Sequence, residues 1–402
     1  MRSVKLPPGA MFPAPPRLEL TAAPHLRAPD STARIMWTVV ATLVPLVAAS
    51  VLFFGLGALL VVLAATAGAL ATERAFGPGG PTRAGSLRDG SAVITGILLG
   101  LTLPPGFPLW MALLGGAFAI GIGKLVFGGL GQNVFNPALV GRAVLQAAFP
   151  TAITTWARPG QGWTTVYPSN LVLPLQSPQG LDLVTAATPL GLMKFEHQGT
   201  AVLPLFLGTT GGSLGETSAL LVLLGGAFLA WKGYLDWRIP AGVLLTVAAF
   251  AGVLHALDPR YPGPLFMLFS GGLMLGAVYM ATDMVTSPVT HRGAWIFAVG
   301  IGLLVVLIRV WGGLPEGVMY AVLLMNALVP AINRLTRPRV FGAPAPAQRT
   351  APWRRLPRPT SPRPGWCSPS PPRAASPACS WRCCSRGPTR ASRPTRRSAP
   401  GW

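Results

Sequence analysis

The chain has 402 residues, of which 51% are hydrophobic and only 11% charged, and its mean hydropathy is +0.51. That is too apolar for a water-soluble protein of this length and marks a membrane protein. The formal charge of +21 suggests nucleic acid as a partner, but residues 346–402 alone supply +12 and the rest of the chain only +9, so no nucleic acid is expected.

In chain order, residues 1–33 are polar and proline-rich, with no apolar stretch near Met1. No cleavable signal peptide is therefore expected, and the first spanning helix should direct insertion itself. Apolar stretches of spanning character follow at Ile35–Phe54, Leu56–Ala71, Leu109–Phe127, Ala219–Trp231, Ala241–Ala256, Leu265–Ala281, Ala294–Val310 and Val318–Ile332. With ~20 residues needed to cross ~30 Å of hydrocarbon, each is a candidate helix. Two shorter pieces, Ala92–Leu103 and Ala138–Ala148, abut Pro104-Pro105 and Asn136-Pro137 and read as broken or re-entrant helices. The predicted fold is an all-α polytopic membrane protein of about ten segments. Residues 34–148 form a first five-helix repeat, 149–215 a long loop and 216–335 a second five-helix repeat, with residues 336–402 a tail.

Residues 346–402 of the tail have 12 arginines, no lysine, no acid and all four cysteines, Cys367, Cys379, Cys383 and Cys384. Such a composition cannot build a core. It reads as the out-of-frame translation of a GC-rich gene from about residue 345; a genuine basic tail would instead touch anionic membrane lipid. The cysteines have no metal-ligand spacing, and His25, His197, His255 and His291 are scattered, so no metal site is expected.

Basic residues cluster before the first helix (Arg2, Lys5, Arg17, Arg27, Arg34), at Arg74, Arg83 and Arg88, at Lys232 and Arg238, and at Arg334, Arg337 and Arg339. Ten segments put all four groups on one side, which the positive-inside rule makes cytoplasmic. Both termini are then cytoplasmic, and the 149–215 loop lies on the outer face. Phe127-Gly128-Gly129-Leu130 and Trp311-Gly312-Gly313-Leu314 match at an offset of 184 residues, which also carries Pro104 onto Pro288. Five segments separate equivalent positions and an odd number reverses direction, so the halves are predicted to form an inverted 5+5 repeat whose broken helices meet near the midplane.

Polar backbone at membrane depth needs partners, which draws attention to Gly131–Pro137 and Ala281–Pro288. Asn133, Asn136, Thr286 and Ser287 either cap half-helix ends or line a site for a flavin ring or an ion. Asp283 either faces a cavity or lies in the interface beside Arg292. Glu216, in Gly212–Ser218, fits the positive N-terminal end of the next helix. No phosphate-binding loop of the ATP or NAD type is present.

Several separated motifs carry a resemblance: Gly128–Ala143, Ala281–Pro288, Pro24-His25 with Ser31-Thr32, and Gly312–Gly317. Over roughly residues 20–343 the chain resembles the NqrB/RnfD family, whose members are membrane subunits of Rnf-type electron transport complexes and of the related sodium-translocating NADH:quinone oxidoreductase. That resemblance implies a subunit of a bacterial inner-membrane complex that couples electron transfer to Na⁺ or H⁺ movement, assembled with the other Rnf-type subunits. It also implies FMN joined covalently through its phosphate to a threonine by a flavin transferase. The acceptor motif is filled here by Asp182, Thr185, Ala186, Ala187 and Thr188, with Thr188 the acceptor and Ala186 standing where relatives often have glycine. A second, non-covalent flavin such as riboflavin, or an ion path, is implied around Asn133, Asn136, Asp283 and Thr286. From another class, inverted repeats with broken helices also suit a solute or ion permease with no redox step.

Overall fold

In the computed structural model, residues 30–77, 87–157, 159–160, 162–174, 176, 188–196, 198–216 and 218–338 are described; all belong to one unit, Met1–Arg339. Asp182, Thr185 and Ala187 of the expected acceptor motif lie outside the described residues, as do residues 339–402 with the four cysteines.

Among the described residues every regular element is helical, and five helices are long and apolar enough to cross a membrane. The chain is a multi-pass membrane protein. Helix α1 (Thr32–Phe54) begins where the Ser31 hydroxyl accepts the Arg34 N–H at 3.3 Å. It ends at Gly55, whose φ of +85° suits glycine, and a Cβ there would meet Thr165 O at 2.6 Å. Helix α2 (Leu56–Phe76) follows at once, then the half-helix α3 (Ser91–Leu101), which stops before Pro104. Helix α4 (Leu109–Ile120) runs on as a π-helical turn over Gly121–Leu125, and α5 (Pro137–Ala148) starts at the expected Asn136-Pro137 break.

The second half repeats that succession. Helix α6 (Ala219–Trp231) and helix α7 (Arg238–Leu257) are followed by two short pieces, α8 (Pro264–Phe269) and α9 (Leu273–Leu275) with its π-helical continuation Gly276–Met280. Helices α10 (His291–Trp311) and α11 (Val318–Leu335) complete it. In each half the second long helix packs on the fourth, α2 on α4 and α7 on α10, and the fourth on the fifth. Small residues allow the first of these crossings. A Cβ on Gly68 would overlap Leu113 O, and one on Gly116 would overlap Ala65 O, so the two backbones touch.

One sequence expectation changes. Leu265–Ala281 reads as a single spanning helix, but the chain breaks at Ser270-Gly271-Gly272. Gly271 adopts φ +66°, and Leu190, beside Thr188, fills the space where its Cβ would be, at 2.5 Å. Hydroxyls inside the spans bond their own helix, as Thr66 does to Val62 O (2.8 Å) and Thr95 to Ser91 O (3.0 Å), so they need no water. Exposed Leu52, Leu63, Leu245 and Val253 turn apolar surface outward, as lipid-facing positions require.

Candidate functional site

Contacts between chain segments sort the molecule into two ends. At one, Tyr234 donates to Asp30 (2.8 Å) and the Trp37 indole to Arg88 O (3.0 Å), bringing together three of the basic groups that the sequence puts on one side. At the other, Gly57 N–H bonds Thr165 O (2.9 Å) and Gly160 N–H bonds Phe53 O (2.9 Å), so the loop between the halves closes over the far ends of α1 and α2. Thr188 lies at this second end, on the short helical segment 189–196. Lys194 pins that segment by donating to Arg309 O (3.0 Å), Gly312 O (2.5 Å) and Leu314 O (3.0 Å), the open carbonyls at the end of α10. Partial burial lowers the Lys194 ammonium below the usual lysine range.

Thr188 opens on a cavity of about 430 Å³ between the halves, lined by Arg142 and Gln146 of α5, Trp156, Phe195, Glu316 and Tyr320. This size, with aromatic walls and a few convergent polar groups, is that of a small-molecule or cofactor pocket. Thr188 is 6% exposed, and its Oγ1 accepts the Gly191 N–H at 3.1 Å as the cap of the segment. An ester oxygen can keep that acceptor role, so phosphorylation at Oγ1 is compatible with the local fold.

The cavity floor is charged. Arg142 donates through Nη1 to Thr102 O (2.7 Å), at the end of half-helix α3, and through Nη2 to Glu316 (2.5 Å). The charges of Glu316 and Glu216 act on each other. Burial first, then the Glu316 charge, holds Glu216 well above the usual carboxylate range. Burial would lift Glu316 too, but the Arg142 charge, aided by that of Arg309, holds it below that range. The Gly212–Ser218 stretch caps the next helix as expected, through Ser218, which accepts the Leu221 N–H at 3.3 Å.

The polar residues expected near the midplane form a second cluster. Asn136 caps α5, accepting the Ala138 N–H at 3.0 Å, and donates to Met280 O (3.1 Å), the end of the α9 half-helix. With its amide oriented to satisfy both neighbours, Asn326 accepts the Asn136 N–H (3.2 Å) and donates to Thr286 O (3.3 Å). Thr286 donates to Asp283 at 3.2 Å, and Asn133 donates to Phe135 O at 3.3 Å. Of the uses foreseen for these residues, Asn136 shows the capping one. Asn133, Asn136 and Asp283 line a cavity of about 110 Å³, well below the usual range for a cofactor pocket.

Sequence reasoning missed four residues. Lys124, inside the α4 span, donates to Glu73 (2.6 Å) and Ser91 (2.7 Å), and the Lys124 and Glu73 side chains are 3% and 0% exposed. Arg142 and Arg309 were likewise ionisable residues in apolar runs, which is the signal that could have found all three. Glu316 sits in a loop, where its charge carried no such flag.

The model of the NQR2, RnfD, RnfE family matches residues 19–342. The chain is 47% identical over 334 residues to the D-type subunit of the ion-translocating oxidoreductase complex of Stutzerimonas stutzeri, covering 78% of this chain and 93% of that one. It is 41% identical over 334 residues to the D-type subunit of the proton-translocating ferredoxin:NAD(+) oxidoreductase complex of Clostridium ljungdahlii, covering 80% and 96%. With the corresponding D-type subunit of the Na(+)-translocating ferredoxin:NAD(+) oxidoreductase complex of Acetobacterium woodii it shares 43% over 329 residues, covering 81% and 95%.

Proposed function

The chain belongs to the NQR2, RnfD, RnfE family, and on that premise we propose that it is the flavin-carrying membrane subunit of an electron-transport complex that moves Na⁺ or H⁺. The observation that carries the reading is the position of Thr188, which lines the 430 Å³ cavity between the halves and whose Oγ1 accepts from Gly191. FMN joined there through its phosphate has room for its ring system among Trp156, Phe195 and Tyr320, with Arg142 and Gln146 as polar contacts. Bound FMN supplies the electron chemistry; the chain orients it and sets the charge around it.

Because Thr188 is 6% exposed, the flavin transferase reaches it before segment 189–196 closes on α10, or when that segment lifts. Asp182 would be the residue the transferase recognises. In a bacterial inner membrane with the basic end cytoplasmic, Thr188 faces outward. The 5+5 succession is read as an inverted repeat, which suits alternating access between the halves. A non-covalent riboflavin at Asn133, Asn136, Asp283 and Thr286 requires the 110 Å³ cavity to widen. Relatives named for protons and for sodium fit either ion here. The partners are the other subunits of the complex, the transferase, lipid and the transported ion.

The reading is tested by co-expression with the transferase. The denatured wild-type band should fluoresce as flavin on a gel, and Thr188→Val should abolish the signal. A dark wild-type band would leave a permease with no redox step as the better account.

A further inference from the structure

We propose that the cavity beside the proline turn Pro104–Pro108 is a lipid site, in which the ester carbonyls of a glycerophospholipid meet Trp110 and Ser169. This cavity, of about 280 Å³, shares no lining residue with the Thr188 cavity. It lies at the end remote from the basic groups, beneath the first part of the loop between the halves, and does not depend on the flavin reading.

The sequence fixes its shape locally. Prolines at 104, 105 and 108 keep the chain between α3 and α4 out of a helix, so its carbonyls need other partners. Asn170, 1% exposed and held in the 3₁₀ turn Pro168–Leu171, donates to two of them, Pro105 O (3.0 Å) and Phe107 O (2.9 Å), while its Oδ1 accepts the Tyr167 N–H (3.0 Å). That clamp seats Ser169 on Gly106, where an added Cβ would meet the Ser169 Oγ at 2.9 Å. Trp110 stands in the first turn of α4, edge-on to Phe149 with ring centroids 5.4 Å apart.

Two polar atoms on this cavity are left over. Trp110 Nε1 and Ser169 Oγ are both buried and have no hydrogen-bond partner among the described residues, and Ser169 is only 7% exposed. Buried polar groups are nearly always paired, so two orphans on one cavity mark a missing partner. The indole N–H only donates and the hydroxyl hydrogen turns to suit, so the missing group is an acceptor. Among the described residues no charged side chain lines the cavity, which speaks against a phosphate or a cation as the occupant. Met111, Val172 and Leu173 form apolar wall beside the two donors, so the acceptor is attached to hydrocarbon. A carboxylic ester meets all three conditions. Its oxygens accept and never donate, it is neutral, and in a glycerophospholipid it continues into an acyl chain.

That chain has an apolar track to follow. Leu173 on the wall and Leu171 beside it are both largely exposed. On α4, Leu113 and Leu114 lie three and four residues beyond Trp110 and so share its face, and Leu113 is exposed as a lipid-facing residue would be. Tryptophan suits the level at which esters lie, since its ring rests in hydrocarbon while its N–H reaches a polar group.

The test uses the purified whole complex in vesicles of phosphatidylethanolamine and phosphatidylglycerol, doped with a phosphatidylethanolamine that carries a diazirine on its acyl chain near the ester. The vesicles are dissolved and washed in lipid-free detergent before illumination, so that only held lipid remains. Peptide mass spectrometry should then find label on segments 106–113 and 168–176, and little near Leu245, an exposed residue of α7 that meets lipid only in passing. Trp110→Phe and Ser169→Ala each remove one donor and little volume, and each should lower the retained label about two- to tenfold, as loss of an ordinary hydrogen bond does. Should either variant fail to assemble, the other and the wild-type labelling pattern decide the matter. Label no higher at the cavity than near Leu245, or equal label in wild type and both variants, overturns the proposal. So does a map of the complex with water alone, an isoprenoid quinone or a partner subunit's chain in the cavity.

Discussion

Arg142 and Glu316, 174 residues apart in sequence, meet at 2.5 Å and so join α5 of the first half to the loop that starts α11 of the second. The other end of the guanidinium holds Thr102 O at 2.7 Å, where half-helix α3 stops. Replacing it by leucine leaves a carboxylate and a carbonyl unpartnered in a largely buried site, which costs on the order of 3–5 kcal/mol. Arg142→Leu should lower the unfolding temperature in detergent markedly, and Arg142→Lys should recover only part, since one ammonium cannot span both partners as the planar fork does. Equal stability of Arg142→Leu and wild type would remove this contact from the account.

Lys194 ties the Thr188 segment to three carbonyls at the end of α10. In Lys194→Met the segment should lift more often, because each lost charge-assisted bond is worth roughly 1.5–3 kcal/mol. Flavin attachment to Thr188 should then be faster in a transferase time course, and amide exchange at Gly191 and Leu192 faster too. An unchanged attachment rate would mean that the acceptor is reached before the segment folds.

The α2–α4 crossing depends on Gly116 facing Ala65 O. Gly116→Val should force the helices apart, at roughly 1–3 kcal/mol or more for overpacking, and reduce the yield of folded protein in the membrane. Gly129→Ala makes a useful contrast. Its φ of +104° brings local strain, but nothing lies within 4 Å of the added Cβ, so the packing should be unchanged.

Much of this architecture was legible because apolar runs and proline breaks are local. Ala219–Trp231 falls where the hydropathy puts it, and α5 begins at Asn136-Pro137 as a capped, proline-started helix must. The Gly271 break was not, since Leu265–Ala281 is apolar throughout and the glycine's left-handed turn depends on Leu190 docking from another part of the chain. The same limit hid the charge coupling of Glu216 to Glu316. Glu216 precedes a helix and locally resembles a cap residue, and only the folded chain supplies Glu316. Thr188 was found from its motif, while its burial in a cavity shared by both halves belongs to tertiary structure. Lys124 was missed although it is a lone cation in an apolar span, and its partners Glu73 and Ser91 come from two other helices.

Asn136 and Asn326 couple the N-terminus of α5 to α11 through a bond of 3.2 Å. A double-mutant cycle with Asn136→Ala and Asn326→Leu should give a coupling of roughly 0.5–3 kcal/mol in unfolding measurements, as expected for residues in one hydrogen-bond network. Strict additivity would show that the two halves do not communicate through this pair.

The central claim, that Thr188 carries the flavin, is tested most directly by peptide mass spectrometry on protein co-expressed with the transferase. Fragmentation should place the mass of FMN less one water on Thr188. An unmodified Thr188 peptide, or the same mass on Thr185 or any other residue, would contradict it.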